Sequence, residues 1–238
     1  MTWSLIGSDT YRNVTTGQTA WTLPAGVVGD MRVILFLSIS STVGVSGLSG
    51  GGVTTWSQVT GPNAISSSSI GVAAISQIWV GPVTSTGTAL TLTYTGTLGA
   101  MSCRAMSRTF RSSRGLITAP QLAGATFSQT SNVTTPSPLT WPTVPALRPG
   151  ELVVGCMGND GLGTGYAGST AGFTYTTDSD GNWHQYRLNT GSVESEAPQM
   201  TYTSNDGWYA TQVVLDDGLY DNVLTQTTQQ AVSRASIW

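Results

Sequence analysis

Charge is scarce in this sequence: 9% of its 238 residues are charged, where an average globular chain carries roughly a quarter. All nine basic residues are arginine and lysine is absent, a bias that fits a GC-rich coding sequence better than a structural demand. With a net charge of −3 and a pI near 4.9, the chain lacks the basic footprint that nucleic acid or an anionic membrane selects. Histidine occurs once and cysteine twice, with no Cys-x-x-Cys pair, so a structural zinc site is excluded by ligand count and no cofactor is expected. Cys103 and Cys156 fall in strand-like stretches far apart in sequence; buried free thiols are expected, with a single disulfide as the alternative. Long apolar runs are also missing. The longest, Met31 to Ile39, is broken by Arg32 and Ser38 and reaches about half the length of a membrane helix. It suits a buried strand, and no membrane span is expected. The opening Met-Thr-Trp-Ser has neither a basic n-region nor an apolar h-region, so no secretory signal is read and synthesis in the cytoplasm is expected.

What is present is enough to fold. Hydrophobic residues make up 39% of the chain, and eight Trp and eight Tyr supply large apolar surfaces. Thr, Ser and Gly fill the polar positions. Short β-rich runs alternate with Gly, Asn, Asp and Pro turns, and no long amphipathic helix precedes the carboxyl terminus. The runs read as strands are 21–23, 32–40, 55–60, 70–80, 89–95, 101–110, 151–157, 173–177, 183–188, 199–203 and 208–215. Within one of them Leu90, Leu92 and Tyr94 face one way and Ala89, Thr91 and Thr93 the other, the period of a half-buried strand. The pattern predicts an all-β fold, an antiparallel two-sheet sandwich.

The sequence also echoes itself. Leu23-Pro24-Ala25-Gly26-Val27-Val28-Gly29-Asp30-Met31-Arg32-Val33 aligns without a gap on Val144-Pro145-Ala146-Leu147-Arg148-Pro149-Gly150-Glu151-Leu152-Val153-Val154. A second echo pairs Leu92-Thr93-Tyr94-Thr95 and the strand through Phe110 with Met200-Thr201-Tyr202-Thr203, Asn205-Asp206-Gly207 and the strand through Leu215. Two pseudo-repeated halves, about 21–115 and 141–218, are expected to build one sandwich over 1–218, with jelly-roll connectivity as the leading arrangement.

The run Gly50-Gly51-Gly52-Val53-Thr54-Thr55-Trp56-Ser57-Gln58-Val59, followed by Ile78-Trp79-Val80-Gly81 and Leu90-Thr91-Leu92-Thr93-Tyr94, resembles a β-sandwich module of tailed bacteriophages of actinobacteria. The likeness extends over roughly residues 21–218. It implies a virion component, either a capsid decoration protein or a minor tail protein, made in the host cytoplasm and joined to other virion proteins and to copies of itself. It carries no catalytic residues, and it does not choose between head and tail.

His184 alternates with its neighbours in Trp183-His184-Gln185-Tyr186 like an ordinary strand residue, and no Gly-x-Ser-x-Gly elbow accompanies it, so no enzyme is read. The close acid pairs are Asp178 with Asp180, Glu194 with Glu196, and Asp216 with Asp217, and sequence places none of them across a cleft. Asp178-Ser179-Asp180-Gly181-Asn182 looks oxygen-rich, but its Gly comes too early for an EF-hand; it is read as a hairpin turn, like Asn159-Asp160-Gly161 and Asn205-Asp206-Gly207. Gly47 to Gly52 and Gly158 to Gly168 are read as flexible loops at the sandwich ends. Arg104, Arg108, Arg111 and Arg114 would share a face on a helix, but the flanking residues read as strand, which argues against a phosphate site. Trp56, Trp79, Trp183, Trp208 and Tyr209 are the aromatics available to stack on a sugar, which makes a tail-associated receptor- or carbohydrate-binding module, bound to a host-surface glycan, the second functional reading.

After Gly218 the composition changes to a Thr- and Gln-rich tail. Tyr220, Leu224, Ile237 and Trp238 mark residues 219–238 as an arm or short helix expected to dock on a neighbouring subunit or on the sandwich itself.

Overall fold

The computed structural model describes residues 2–13, 19–38, 43–60, 63–66, 73–96, 103–115, 121–122, 127–132, 139–144, 147–159, 168, 170–177, 183–189, 191, 194–200 and 207–216. At 9–13, 63–66, 73–74, 103, 121–122, 127–132, 139, 159, 183 and 207–209 only the backbone is described. In chain order the strands are β1 (Trp3–Asn13), β2 (Ala20–Thr22), β3 (Met31–Ser38), β4 (Val45–Gly50), β5 (Ser57–Gln58), β6 (Asn63–Ser66), β7 (Ala73–Pro82), β8 (Ala89–Tyr94) and β9 (Cys103–Ser112). They continue as β10 (Gln121–Leu122), β11 (Phe127–Asn132), β12 (Leu139–Thr140), β13 (Leu152–Asn159), β14 (Thr174–Thr177), β15 (Trp183–Leu188), β16 (Gln199–Met200) and β17 (Gly207–Asp216).

The fold is all-β and antiparallel. One six-stranded sheet runs β1-β9-β3-β7-β5, with β6 also on β7; the other runs β10-β17-β13-β15-β14, with β11 also on β17. Their facing sides meet through Met31, Val33, Leu35 and Leu37 of β3, Ile78 and Val80 of β7, and Phe110 of β9 on one side. Leu152, Val154 and Cys156 of β13 with Val213 and Leu215 of β17 answer them from the other. This is the two-sheet sandwich, each sheet drawn from one half of the chain.

Two smaller sheets extend it. The three-stranded sheet β2-β8-β4 covers the far side of the first large sheet: Trp21, Val45, Leu90 and Leu92 pack on Ile34, Phe36, Trp79 and Ala105. The two-stranded sheet β12-β16 lies in the second half, where Val144, Leu147, Val153 and Val214 form a smaller core with Phe173 beside it. Strand β3 is therefore covered on both faces and buried at every position, which is why its sequence, MRVILFLS, reads as an apolar run without alternation, interrupted only by Arg32 and Ser38. In β8 burial does alternate, Leu90 and Leu92 inward and Ala89, Thr91 and Thr93 outward.

The turns entering β3 and β13 are built alike. In the first, the Asp30 carboxylate accepts the Val27 N–H at 2.9 Å, Gly29 takes φ 95°, and Gly29 N–H and Val83 N–H bond across to the Val83 and Asp30 carbonyls. In the second, the Glu151 carboxylate accepts the Arg148 N–H at 2.6 Å, Gly150 takes φ 90°, and Gly150 and Asn189 N–H bond to the Asn189 and Glu151 carbonyls. The cation that neutralises the acid comes from different places. Arg111 Nε reaches Asp30 at 2.7 Å, whereas Arg148, within the turn itself, holds Glu151 at 2.8 Å and Asp216 at 3.6 Å.

Two sequence expectations need correction. Gly47–Gly52 is not a loose loop: β4 pairs with β8, and Gly50, Gly51 and Gly52 form a packed turn at φ 81°, 65° and 71°. A β-carbon on Gly52 would sit 2.3 Å from the Ser85 carbonyl oxygen, so the glycine run answers a close backbone approach. The run 55–60 contains only the two-residue β5, because Thr60 turns inward and its hydroxyl accepts the Ile78 N–H at 2.7 Å. The pattern also missed β1, an eleven-residue strand lying along β9.

Candidate functional site

The aromatics offered as a sugar platform do not form one where they are described. Trp79 is a core residue, 7% exposed, and packs between the first large sheet and the small sheet with Trp21 and Phe36. Its candidacy as an exposed ligand aromatic is overturned: it sits in a strand covered by the small sheet. Trp56 is half-buried against the same cluster, and its indole N–H donates to the Gly50 carbonyl at 3.1 Å, which fastens the glycine turn.

Trp183, Trp208 and Tyr209 are described only as backbone. Their register is nevertheless informative. Met157 pairs with Trp183, Asn159 with Trp208, and Gly158 with Tyr209, so the three lie at one end of the second large sheet around the end of β13. Of the three Asp-Gly segments, residues 160–161, 178–182 and 205–206 lie outside the described residues, but the strands that lead into them end there together. The arm residues Tyr220, Leu224, Ile237 and Trp238 lie outside the described residues as well, as does Asp217.

The arginines do not make one patch. Arg104 and Arg108 are buried, Arg111 pairs with Asp30, and Arg114 is exposed beyond β9. Arg108 enters the space between the two large sheets. Its Nη2 donates to Thr176 Oγ1 at 3.1 Å and its guanidinium lies 4.6 Å over the Tyr186 ring, whose edge meets Phe110. Burial lowers its pKa to about 10, with the Tyr186 phenol opposing. His184 is beside it, fully enclosed, with neither ring nitrogen hydrogen-bonded. Desolvation first and the Arg108 charge second lower its pKa to about 3. A neutral, enclosed imidazole next to a cation has no route to a substrate, so these groups pack the two sheets together.

Comparison with protein-family models, curated proteins and solved structures finds no match.

Several of the remaining polar residues are taken up structurally. Ser76 and Thr211 hydroxyls bond across the central layer, and Trp3 Nε1 of β1 donates to the Gly150 carbonyl of the other half at 2.6 Å. Glu196 is held by Arg187, which also lies 5.3 Å over Phe173. Cys156 is a free thiol enclosed in the central core, and burial pushes its pKa far up, so it is inert as a nucleophile. Among the described residues, no group of three or more His, Cys, Asp or Glu side chains gathers to hold a metal, and no helix is long and apolar enough to cross a membrane.

One array stands apart by its charge. Arg32, Trp79, Ser107 and Thr109 all keep buried polar atoms without a partner, and they lie together on the face of the first large sheet that the small sheet covers. Sequence reasoning passed over Arg32 because it appeared only as an interruption of an apolar run. A charge at the centre of such a run was the available signal.

Proposed function

We propose that this chain is a structural component of a tailed-bacteriophage particle, a capsid decoration or minor tail protein that acts by protein–protein assembly and not by catalysis. The observation that carries the reading is the layered stack itself: the histidine, the free thiol and the buried Arg108 are all built into the packing of one sheet on the other. The residues behind the phage resemblance support it too, since the Gly50–Gly52 turn, Trp56, Trp79 and the β8 strand pack into a single layer. In this reading the chain is one jelly-roll-like sandwich built from two pseudo-repeated halves. In the first half β1, β3, β5, β6, β7 and β9 enter the large sheet and β2, β4 and β8 the small one; in the second half β10, β11, β13, β14, β15 and β17 enter the large sheet and β12 and β16 the small one.

An assembly role also has surface to use. Ile6, Val27 and Val28 are exposed at 39%, 50% and 50%, and Gly7 lies against Pro24, so strand β1 and the Pro24–Asp30 turn present them at one end of the molecule. Immunogold labelling of intact particles tests the reading. Label on the head supports decoration, label on the tail supports a minor tail protein, and particles that never carry label would remove the virion assignment. Replacing Val27 and Val28 by Asp is expected to reduce incorporation into particles while leaving the far-ultraviolet circular dichroism unchanged.

A receptor- or carbohydrate-binding role is favoured by a different observation, the neighbouring register positions of Trp183, Trp208 and Tyr209 at one end of the second sheet. Trp183→Ala and Trp208→Ala would then abolish binding on a host-glycan array. Unchanged binding, or none in the parent protein, removes this reading.

A further inference from the structure

Arg32 lies in β3 between Met31 and Val33, which face the central core, so its side chain belongs to the opposite face, under the small sheet with Ile34 and Phe36. It is 1% exposed, and Nε, Nη1 and Nη2 all lack a hydrogen-bond partner. Thr109 of β9 is its direct neighbour across the sheet, while Ser107 of β9 and Trp79 of β7 flank Ile34 two residues on. Direct neighbours in an antiparallel sheet have β-carbons about 5 Å apart and diagonal ones about 7–8 Å apart. Thr109 Oγ1, Ser107 Oγ and Trp79 Nε1 are likewise buried and unpartnered. Gly26 closes the array from the turn: a β-carbon there would lie 3.3 Å from Arg32 Nη2.

Every unpartnered group in this set can donate, and one of them is a cation. Asp30, whose charge acts on Arg32, is already engaged, because it accepts from Arg111 Nε at 2.7 Å, from Arg111 Nη2 at 3.0 Å and from the Val27 N–H at 2.9 Å. Burial lowers the Arg32 pKa more than the Asp30 charge raises it, so Asp30 does not compensate the site. A buried guanidinium without an anion is strongly disfavoured.

The second half provides an internal control. Counted from the β13 register, the positions of Arg32 and Thr109 are held by Val153 and Val214, and those of Trp79 and Ser107 by Gln185 and Gln212. The two glutamines satisfy one another, Gln185 Nε2 donating to Gln212 Oε1 at 2.6 Å and Gln212 donating onward to the Pro142 carbonyl. What is left over there is uncharged, the acceptor Gln185 Oε1 and the indole donor Trp141 Nε1. Among the described residues, the first half alone keeps a charged array at these positions.

We propose that this array is a binding site for a small oxyanion, a carboxylate or a tetrahedral sulfate or phosphate, held bidentate by the Arg32 fork and completed by Trp79, Ser107 and Thr109. The site is closed, so the ion enters during folding or when the Pro24–Asp30 turn opens. It is independent of any role on a particle.

The test refolds the full chain from urea in chloride buffer with acetate, sulfate or phosphate at constant ionic strength, followed by thermal melts. At least one anion is expected to raise Tm saturably, by about 5 °C at about a hundred-fold excess over Kd. Acetate alone acting identifies a planar carboxylate site; sulfate or phosphate acting identifies a tetrahedral one. Arg32→Met should lose the response and Arg114→Met, on the exposed surface, should keep it. Thr109→Val, which keeps the charge, should weaken the apparent affinity about ten-fold and serves if Arg32→Met does not fold. No rise with any anion, or the same rise in Arg32→Met or Thr109→Val, overturns the proposal.

Discussion

His184 shows how a single residue ties stability to pH. In the unfolded chain its imidazole takes up a proton near the ordinary 6.5, but in the folded protein only near 3, because no water reaches the ring and Arg108 repels a second charge. Between those values the unfolded chain binds more protons, so the contribution of His184 to stability is full above pH 6.5 and falls as the pH drops toward 3. The groups around it, Arg108, Tyr186, Thr176 and Cys156, offer no acid to hold an imidazolium. Replacing His184 by Leu is therefore expected to shrink the difference between urea midpoints at pH 7 and pH 4. An unchanged difference would show that other groups set the acid response.

At the level of the element, the turn before β3 carries more than its length suggests. Asp30 is buried and caps the turn while anchoring Arg111 of β9, so it joins two strands of the first sheet to the segment that enters it. Asp30→Ala is expected to cost about 1–3 kcal/mol in chemical denaturation. Arg111→Ala should cost much less, since that side chain is 43% exposed and solvent replaces its contacts. The turn Gly50–Gly52 is less forgiving still. Gly52→Ala meets the Ser85 and Gly87 carbonyl oxygens at 2.3 and 2.7 Å and also needs a positive φ, so it should disrupt the β4–β8 pairing or prevent soluble expression.

For the molecule as a whole, the decisive feature is that the central core is shared. Leu35 of β3 and Val154 of β13 belong to one cluster, and Trp3 bonds to Gly150 of the other half. The two halves are therefore expected to unfold together, in one transition seen alike by tryptophan fluorescence and circular dichroism. Two separated transitions would mean that each half is stable alone. Leu35→Ala, in the middle of the shared layer, should lower the stability of the entire molecule by about 2–5 kcal/mol.

The sequence alone determined the fold class, because period-two alternation in β8 and the largely apolar run of β3 are consequences of side chains pointing to opposite faces of a sheet. It also revealed the paired turns, since an acid after a glycine is needed to cap each one. It did not reveal which face a tryptophan would meet: Trp79 reads the same in a core and in a sugar site, and only the small sheet laid over it decided the matter. The same holds for Gly50–Gly52, whose composition suits a loose loop and whose neighbours at Ser85 and Gly87 make it a tight one. Tertiary structure alone brought Arg32, Trp79, Ser107 and Thr109 to one face, since their strands are distant in the chain and their juxtaposition depends on register, which short-range pattern does not encode.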